Sequence, residues 1–396
     1  MEKFHLVITG RRNTGKSSLI NFILGQNKAV VSDVAGTTTD PVKKSFEIPG
    51  FASLVLIDTA GIDDTGELGK LRIQKTYEAL KQADAAILVI SNNQFGEYEK
   101  KLIQEFQASG QAFFIVHNQS DRNKLAPGLK QELECKYKVT VIDFSTRQTE
   151  QEPLLSVIRS LLNKPVSRSP LSALIRPGQI ILLVTPIDSE APTGRMILPQ
   201  VQMLRDILDN HCISIVVQPE EIPAFFSRTG FRPDLVITDS QAFAKVASLI
   251  PENIPLTSFS IVLAHHKGNF DKYLEGTGHI EKLEDDDRIL MLESCSHHVS
   301  CEDIGRVKIP ALLRKYTGKH LEFDFIAGLD QIKRPFTDYA LIIQCGGCMI
   351  TTQQLRNRLK PAIDQNIPVS NYGMTIAYIQ GIFQRATAPF QKSEKK

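Results

Sequence analysis

The residues with the most distinctive spacing lie at 10–17, where GRRNTGKS fits the pattern G-x-x-x-x-G-K-[ST]. This segment stands between the strand-like run HLVITG and a helix-like run. Its glycines can therefore turn backbone N–H groups toward phosphate oxygens while the helix N-terminus points at them. Lysine at this position reaches the β- and γ-phosphates, and the serine hydroxyl binds Mg²⁺, which predicts a nucleoside triphosphate site. The residues expected to line it are Gly10, Asn13, Thr14, Gly15, Lys16, Ser17 and Ser18.

An acidic motif, DTAG at 58–61, follows the apolar run SLVLI. An acid at a strand end can hold Mg²⁺ through water, which is the role expected of Asp58, and the Gly61 N–H can meet the γ-phosphate. Position 62 is isoleucine, where Ras-like proteins carry the glutamine that orients the attacking water. Hydrolysis is therefore expected to be slow or to depend on another element.

Two short segments resemble the guanine motifs of GTPases. NQSD at 118–121 resembles N-K-x-D, and STR at 145–147 resembles S-A-K. The resemblance implies that Asp121 accepts hydrogen bonds from the guanine N1–H and 2-amino groups, which adenine cannot match. Gln119 stands where lysine normally covers the base, so nucleotide affinity is expected to be weakened while the choice of guanine survives. The base-binding residues expected on this resemblance are Asn118, Asp121, Ser145 and Thr146.

The segment GTTTD at 36–40 resembles the first switch of Era/TrmE-like GTPases, whose pattern is G-T-T-R-D. That resemblance implies that Thr38 closes on Mg²⁺ in the triphosphate state. Asn13 matches the asparagine with which potassium-activated members hold K⁺, the alternative being an ordinary loop residue. The catalytic set expected is Lys16, Thr38, Asp58 and Gly61, with Mg²⁺ held by Ser17, Thr38 and Asp58.

The chain has six cysteines, four of which gather near its C-terminus. Cys295 follows the strand-like run RILMLES, and the CGGC segment containing Cys345 and Cys348 follows YALIIQ. If those strands are parallel members of one sheet, their carboxyl ends share an edge and the three thiols converge. Three thiolates with an incomplete fourth position suit an Fe–S cluster. A dithiol redox motif and a zinc site completed by His297 are the open alternatives.

The elements that must position these residues form an α/β pattern. At 396 residues the chain predicts two or three domains. Alternating strands and helices predict a P-loop GTPase domain with a mostly parallel sheet at 1–165, followed by two smaller α/β domains at 175–262 and 263–396. The proline-containing stretch 163–179 is the expected linker. The middle domain has no phosphate loop and no clustered metal ligands, so its expected role is dimerisation.

Composition excludes several classes of protein. Lysine plus arginine, 46, nearly balances aspartate plus glutamate, 44, so binding to nucleic acid or membrane through bulk charge is not expected. No apolar run approaches the roughly 18 residues that span a bilayer. The sequence enters a strand-like run directly, which predicts no signal peptide and a cytoplasmic protein. The cysteines are too few for a disulfide scaffold.

The whole chain resembles the HydF family of FeFe-hydrogenase maturation GTPases. The resemblance rests on an Era/TrmE-like GTPase, a cluster-free middle domain and a C-terminal pattern of C-x-H followed by C-x-x-C. Between His297 and Gln344 lie 46 residues, which fits the family spacing. Gln344 stands where many members carry a second histidine. The fourth cluster ligand is then expected to be His297, an exchangeable solvent ligand or Glu302.

This resemblance implies a homo-oligomeric scaffold with a slow, potassium-stimulated GTPase. It would bind a 4Fe–4S cluster and a two-iron precursor made by the radical-SAM maturases HydE and HydG, and deliver the precursor to apo FeFe-hydrogenase, HydA. The alternative is a TrmE-like tRNA-modifying GTPase with a redox or zinc-binding C-terminal domain. Against that alternative, the chain ends TAPFQKSEKK without the C-terminal cysteine motif of that enzyme, and its net charge of +2 gives no RNA footprint.

Overall fold

A computed structural model describes residues 3–25, 41–49, 51–64, 66–147, 150–162, 169–187, 194, 196–294 and 303–391. The chain divides into two compact units, Met1–Val166 and Ser167–Lys396. Thr38, Cys295, His297 and Glu302, all expected to be site residues, lie outside the described residues. In the described part of both units, no helix is long and apolar enough to cross a membrane.

The first unit is built on a six-stranded sheet of order β2-β3-β1-β4-β5-β6. Among its described strands, β2 runs antiparallel to β3 and the other pairs are parallel. The elements are β1 (Lys3–Gly10), α1 (Lys16–Leu24), β2 (Val42–Ile48), β3 (Ala52–Asp58), α2 (Gly66–Gln82), β4 (Ala85–Ser91), α3 (Glu97–Ser109), β5 (Ala112–Asn118), α4 (Pro127–Tyr137), β6 (Val141–Asp143) and α5 (Glu152–Leu162).

Helices cover both faces of this sheet, which is why the central strands β4 and β5 are apolar for most of their length. Leu6 and Ile8 on β1 pack with residues of α1 and α5, while Val7 between them packs with residues of α2, α3 and α4. All seven residues of β4 are buried. Successive side chains of a strand point to opposite faces, so only an uninterrupted apolar run can fill both cores. The loops at the carboxyl ends of these strands then share one edge.

The second unit has two four-stranded parallel sheets of order β10-β9-β7-β8 and β12-β11-β13-β14. Short helical turns occupy Pro219–Glu221, Ser240–Ala242, Gly278–Lys282, Ile304–Lys308 and Phe336–Asp338. The elements are β7 (Ile180–Val184), α6 (Leu198–Asp209), β8 (Ile213–Val217), α7 (Ile222–Thr229), β9 (Leu235–Thr238), α8 (Phe243–Leu249), β10 (Leu256–Ser258), α9 (Phe259–Lys267), α10 (Phe270–Thr277), β11 (Arg288–Leu292), α11 (Ile309–Thr317), β12 (Glu322–Ile326), β13 (Leu341–Gln344), α12 (Thr352–Asp364), β14 (Val369–Asn371), α13 (Tyr372–Ile379) and α14 (Phe383–Gln391).

The two sheets of the second unit share one apolar cluster. Leu182 on β7, Leu290 on β11 and Ile342 on β13 belong to it, together with residues of the helices α9, α13 and α14. The predicted fold class, a P-loop domain followed by further α/β sheets, is confirmed. The boundary placed at 262/263 stays a prediction, because the packing in this unit joins the sheets on either side of it.

In the last sheet, the strands that follow β11 in the chain lie on both sides of it. β12 lies on one side of β11, and β13 with β14 lies on the other. Loops leaving adjacent strands on the two sides of such a switch diverge, and open α/β sheets bind their ligands in the crevice that results. This crevice lies at the carboxyl ends of β11 and β13, where Ser294 and Cys345 follow the two strands.

Candidate functional site

The phosphate loop joins β1 to α1 and depends on glycine at both ends. Gly10 has φ 145° and Gly15 has φ 83°, values that L side chains rarely adopt. A Cβ added at Gly10 would lie 2.2 Å from the Val89 carbonyl oxygen, and one at Gly15 would lie 2.4 Å from the Asn118 side-chain nitrogen. The loop is therefore held directly against β4 and the end of β5.

Lys16 lies within this loop with its ammonium group enclosed. The Nζ donates hydrogen bonds to the carbonyl oxygens of Gly10 at 3.2 Å and of Arg11 at 2.7 Å. Burial lowers the pKa of Lys16, and the nearby Asp58 carboxylate opposes that shift. A largely desolvated cation that bonds only to carbonyl oxygens is well placed to gain an anionic phosphate.

Two of the three expected magnesium ligands, Ser17 and Asp58, meet at the other side of the loop. The Ser17 hydroxyl donates to Asp58 Oδ2 at 2.6 Å, while Oδ1 of the same carboxylate is buried and has no hydrogen-bond partner. Burial raises the pKa of Asp58, and the Ser17 hydrogen bond partly offsets the shift. A hydroxyl and a carboxylate in contact form an oxygen ligand set of the kind that Mg²⁺ takes beside phosphates, so these residues fit the ion.

A cleft of about 390 Å³ opens between the loop and the DTAG segment. It is lined by five of the described residues that the sequence assigned to the phosphates and cations, namely Asn13, Lys16, Ser17, Asp58 and Gly61. Sequence reasoning missed the three other charged residues of the lining, Arg12, Asp64 and Arg72. The only signal for the first two was charge beside a motif, since Arg12 ends an arginine pair and Asp64 an aspartate pair.

The segment 118–121 is fastened to the phosphate loop. Asn118 Nδ2 donates to the Thr14 carbonyl at 2.9 Å, and Gln119 Nε2 donates to the Asn13 carbonyl at 3.0 Å. Gln119 itself has φ 64°. The residue that replaces the usual lysine thus reaches the loop with its amide, which ties the base-binding segment to the phosphate-binding one without adding a charge.

The two guanine segments meet at Asp121. Ser145 Oγ donates to Asp121 Oδ1 at 2.7 Å, and Arg147 lies 3.2 Å from Oδ2. The Ser145 hydrogen bond, followed by the Arg147 charge, lowers the pKa of Asp121. The carboxylate is therefore ionised at neutral pH and is a pure acceptor, as recognition of a guanine edge requires. Thr146 lies between these two partners in the chain.

The second candidate site lies at the carboxyl ends of β11 and β13, which are parallel neighbours. The Cys345 thiol donates to the Ser294 hydroxyl at 2.8 Å, so the ends of the two strands meet as expected. Gln344 is fully buried, and its Nε2 donates to Ser294 Oγ at 3.1 Å and contacts Cys345 Sγ at 3.5 Å. Gln344 therefore supports Cys345 from within the sheet.

The CGGC loop is held by a lysine from α9. Lys267 Nζ donates to the carbonyl oxygens of Gly347 at 2.8 Å and of Ile350 at 2.9 Å. Burial raises the pKa of Cys348 to about 11, the nearby Cys345 adds to the shift and Lys267 opposes it. Gly347 has φ 74°, which lets the loop turn back between its two thiols.

A half-buried arginine faces the same sheet edge, and sequence reasoning missed it. Arg358 on α12 donates to the carbonyls of Glu293 at 2.6 Å and Ile326 at 3.0 Å, and its Nε has no partner. Burial lowers the pKa of Arg358, while Cys345 and Tyr372 counter the shift. The Tyr372 hydroxyl is also buried without a partner. An arginine in an amphipathic helix is usually solvated, so the sequence carried no signal of this role.

These residues fit an anionic, thiolate-bound group. The Cys345 thiol lies near a guanidinium whose hydrogen bonds go to neutral carbonyls, and a negatively charged cluster would balance that charge. Within the residues described, which stop at 294 and resume at 303, no three His, Cys, Asp or Glu side chains form a metal site. Cys295, His297 and Glu302 belong to the intervening stretch, so the cluster ligand set stays a prediction.

The fold and the nucleotide site define the first unit as a P-loop GTPase domain, a class of domain that binds GTP and Mg²⁺. A family model described as 50S ribosome-binding GTPase matches residues 5–119. Two further models describe the rest of the chain. The hydrogen maturase F dimerization domain matches 171–268, and the hydrogen maturase F tetramerization domain matches 271–389. Together these two span more than half of the chain, which belongs to the hydrogen maturase F, or HydF, family.

Curated relatives match less of the chain than the three family models do together. The tRNA modification GTPase MnmE of Aliarcobacter butzleri is 30% identical over 162 residues, which are 41% of this chain and 34% of that protein. GTPase Der of Leptospira borgpetersenii is 42% identical over 124 residues, 30% of this chain and 25% of that protein. The chain thus spans about a third or less of the length of either relative.

Solved structures similar to this chain include two other GTPases. A variant of Era from Aquifex aeolicus bound to GDP and aluminium fluoride has 19% identity and a TM-score of 0.36, covering 58% of this chain and 99% of that one. The G domain of the T. maritima FeoB iron transporter has 21% identity and a TM-score of 0.32, covering 39% of this chain and 96% of that one.

Proposed function

We propose that this chain is a GTP-hydrolysing carrier of iron–sulfur cargo for the maturation of FeFe-hydrogenase. The observation that carries the proposal is the joining, in one chain, of a GTPase domain to two HydF domains, the second of which contains the CGGC loop. Slow GTP hydrolysis is assigned to the first unit, and the iron–sulfur cargo is assigned to the second. The GTPase would regulate encounters with partners, and no iron chemistry is assigned to it.

In the proposed nucleotide site, Lys16 and the loop amides hold the phosphates, and Asp121 selects guanine. Ser17, Asp58 and Thr38 would hold Mg²⁺, which supplies positive charge to the phosphates. Lys16→Ala should weaken GTP binding about ten- to hundredfold, because it deletes a charge-assisted hydrogen bond. Titration with a fluorescent GTP analogue measures this, with exposed Lys101→Ala as the control. Unchanged binding and turnover in Lys16→Ala would remove the GTPase from the proposal.

Potassium stimulation is proposed from Asn13, which is exposed at the mouth of the cleft. A monovalent cation there would add positive charge where Ile62 provides none. Hydrolysis rates in KCl and NaCl at equal ionic strength test the idea, and Asn13→Ala should abolish any difference between the two salts. Equal rates in the two salts for the unmodified protein would show that Asn13 binds no potassium and is an ordinary loop residue.

The cargo site is proposed to hold a 4Fe–4S cluster on Cys295, Cys345 and Cys348. His297, Glu302 or an exchangeable solvent ligand would complete it, since Gln344 is a poor iron ligand and its amide is already bonded to Ser294. A labile fourth position suits cargo that must leave again. The rival zinc and dithiol sites predict different metal and sulfide contents.

Anaerobic reconstitution with iron and sulfide, followed by metal and sulfide analysis and EPR of the reduced protein, tests this site. Cys345→Ser should lose the cluster signal and keep near-normal GTP turnover. The exposed Cys135→Ser is the matched control and should keep both. An intact signal in each of Cys295→Ser, Cys345→Ser and Cys348→Ser would exclude the cluster, and zinc retained after purification would favour the structural-zinc rival.

The proposed partners are those implied by the family resemblance. The radical-SAM maturases HydE and HydG would supply the two-iron precursor, and apo FeFe-hydrogenase, HydA, would receive it. The two HydF domain models are named for dimerization and tetramerization, which supports a homo-oligomer. Activation of apo-hydrogenase by the reconstituted protein tests delivery. Failure of activation by a protein with an intact cluster would separate cluster binding from delivery.

A further inference from the structure

The phosphate cleft contains two arginines to which no motif assigns a role. Arg12 comes from the phosphate loop and Arg72 from α2, and both line the cleft beside Lys16. Asp64 bridges them. Its Oδ1 accepts a hydrogen bond from Arg12 Nη1 and its Oδ2 one from Arg72 Nη1, each at 3.3 Å. One carboxylate therefore holds two cations from different elements at the edge of the nucleotide site.

Arg12 is also tied to the residue before Asp64. Asp63 Oδ1 accepts a hydrogen bond from the Arg12 backbone N–H at 2.7 Å and lies 3.9 Å from the Arg12 Nε. A Cβ added at Gly61 would lie 2.3 Å from Arg12 Cγ, so the stem of Arg12 crosses directly over Gly61. The Gly61 N–H is the group assigned to the γ-phosphate. The guanidinium of Arg12 consequently lies at the γ-phosphate end of the cleft.

The carboxylates hold this guanidinium only loosely. The Arg12 side chain is 52% exposed, and each side-chain contact is made through a single nitrogen at 3.3 or 3.9 Å. Exposed ion pairs of this kind contribute little to stability. A phosphate group offers two oxygens in the geometry that the planar guanidinium matches, together with a higher charge. Exchange of Asp63 and Asp64 for phosphate is therefore favourable for Arg12.

We propose that Arg12 is a catalytic residue that moves from Asp63 and Asp64 to the γ-phosphate when GTP is bound. The inference rests on the GTPase activity proposed above. Water attacks the γ-phosphorus, the bond to the β–γ bridging oxygen breaks, and GDP, inorganic phosphate and a proton are released. Arg12 stays protonated throughout and stabilises the charge that spreads over the γ-phosphate oxygens.

The surrounding residues explain why an arginine is needed at this position. Ile62 is only 4% exposed and belongs to an apolar core, so position 62 cannot orient water. An arginine supplied by the same chain can replace the one that other GTPases take from a partner protein. Arg72 is assigned as a positioning residue, because its bond to Asp64 keeps that carboxylate occupied after Arg12 leaves.

The test compares Arg12→Gln with the unmodified chain in three measurements. GDP affinity should stay within about twofold, because the contact is made only to the third phosphate. Affinity for a non-hydrolysable GTP analogue should fall about tenfold. Single-turnover hydrolysis should slow about a thousandfold, and Arg12→Lys should restore affinity more than rate. Arg159→Gln, which removes an arginine paired with Glu152 on α5, is the control and should leave all three values unchanged.

For Asp64→Asn we expect the opposite change in affinity for the GTP analogue. Removing the competing carboxylate should strengthen binding of the GTP analogue and leave GDP binding unaltered, which also reports that the domain is folded. Equal weakening of GDP and analogue by Arg12→Gln, an unchanged hydrolysis rate, or weaker analogue binding in Asp64→Asn would overturn the inference. If the unmodified chain does not hydrolyse GTP, the proposed function itself fails, so the two failures are distinguishable.

Discussion

Two features of Asp121 suit it to binding guanine. Its pKa is lowered, and both of its carboxylate oxygens have a partner on the loop after β6. The Ser145 hydroxyl fixes one carboxylate oxygen, and Arg147 lies beside the other. We predict that Asp121→Ala removes the preference for GTP over ATP, because the neutral side chain can no longer accept from the guanine N1–H and 2-amino groups. Competition between the two nucleotides for a fluorescent analogue measures the preference.

The matched control for this prediction is Asp143→Ala. Asp143 accepts a hydrogen bond at 2.7 Å from the buried His117 on β5 and lies on the adjacent strand β6. Its removal disturbs the same sheet edge without touching the expected base contact. If both variants lose selectivity equally, guanine is chosen by the shape of the edge and Asp121 has no specific role.

At the level of single side chains, the sequence predicted contacts only where a motif names both partners. Ser17 and Asp58 belong to two motifs that end neighbouring strands, so their meeting was predictable. Arg358 was not, because nothing in an amphipathic helix distinguishes a solvated arginine from one inserted between strand ends. The ion pairs of Arg12 were missed for a related reason. Runs of charge beside a motif are common, and their partners depend on loop conformation.

His266, near the end of α9, makes the stability of the protein dependent on pH. Burial lowers the pKa of His266 to about 4, and the charges of Lys267 and His265 reinforce the shift. In the unfolded chain the pKa is about 6.5. The unfolded state therefore binds the proton first, and stability should fall as pH drops from about 6.5 to about 4.

Urea unfolding across this pH range tests the prediction. Uptake of up to about one proton per molecule on unfolding near pH 5 should be lost in His266→Asn. His211→Asn, at an exposed histidine with φ 56°, should keep the slope. A pH profile unchanged by His266→Asn would show that other groups set the acid sensitivity.

At the scale of elements, a buried ion pair connects the phosphate loop to α3. Glu99 is 1% exposed and accepts from Arg11 Nε at 2.7 Å and Nη2 at 2.9 Å, as well as from the Gly96 N–H at 2.7 Å. The Arg11 carbonyl in turn accepts from Lys16. The start of α3 thus fixes the loop residue that positions the phosphate-binding lysine.

We predict that Glu99→Ala destabilises the first unit by about 3 kcal/mol, because it leaves the Arg11 charge without its partner. GTP affinity should fall at the same time, since Arg11 supports Lys16. Hydrogen exchange of peptides from β1 and α3 measures the local stability. Glu97→Ala, in the same helical turn but exposed and paired with Lys100, should have little effect. Similar protection in the two variants would contradict a structural role for the buried pair.

The sequence predicted the strands of the parallel sheets better than those at their edges. β4 and β5 are apolar for most of their length, so the sequence pattern predicts them directly. β2 has the sequence VKKSFEI and was not, because an edge strand half exposed to solvent carries polar residues that weaken its pattern. β10 was missed because three residues, Leu256–Ser258, are too few to show a period. Both strands lie at the edge of a sheet, but only β2 is exposed there, since all three residues of β10 are buried.

At the scale of the whole molecule, the two units differ in what the sequence could establish. The phosphate loop is a local motif, so its site follows from a short stretch of chain. The cysteine site depends on β11 and β13 being neighbours although about fifty residues separate their ends. The pairing of Leu292 with Gln344 brings the two strand ends together in the described part of the site. No spacing in the sequence could show that α12 inserts Arg358 there.

Self-association is expected to use the edge strand β8. Ile213 and Val216 on this strand are 54% and 42% exposed, and Leu208 at the end of α6 is 57% exposed. The edge strand β12 of the other sheet is instead covered by ion pairs such as Glu322 with Arg288. Charges on an edge prevent pairing with another chain, whereas an apolar edge invites it. β8 also lies within the segment that matches the hydrogen maturase F dimerization domain.

We therefore predict that the double variant Ile213→Lys, Val216→Lys prevents chains from associating through β8. Burying each of these roughly half-exposed side chains against a second copy would stabilise that association by about 1 kcal/mol, and lysines there would repel one another across the interface. Light scattering after gel filtration should show the mass falling by half, while GTP turnover in the first unit stays near normal. Leu68→Lys, an exposed apolar residue on α2 in the other unit, is the control and should keep the mass. If the double variant keeps its mass, chains associate through another surface, and the β8 edge has no part in it.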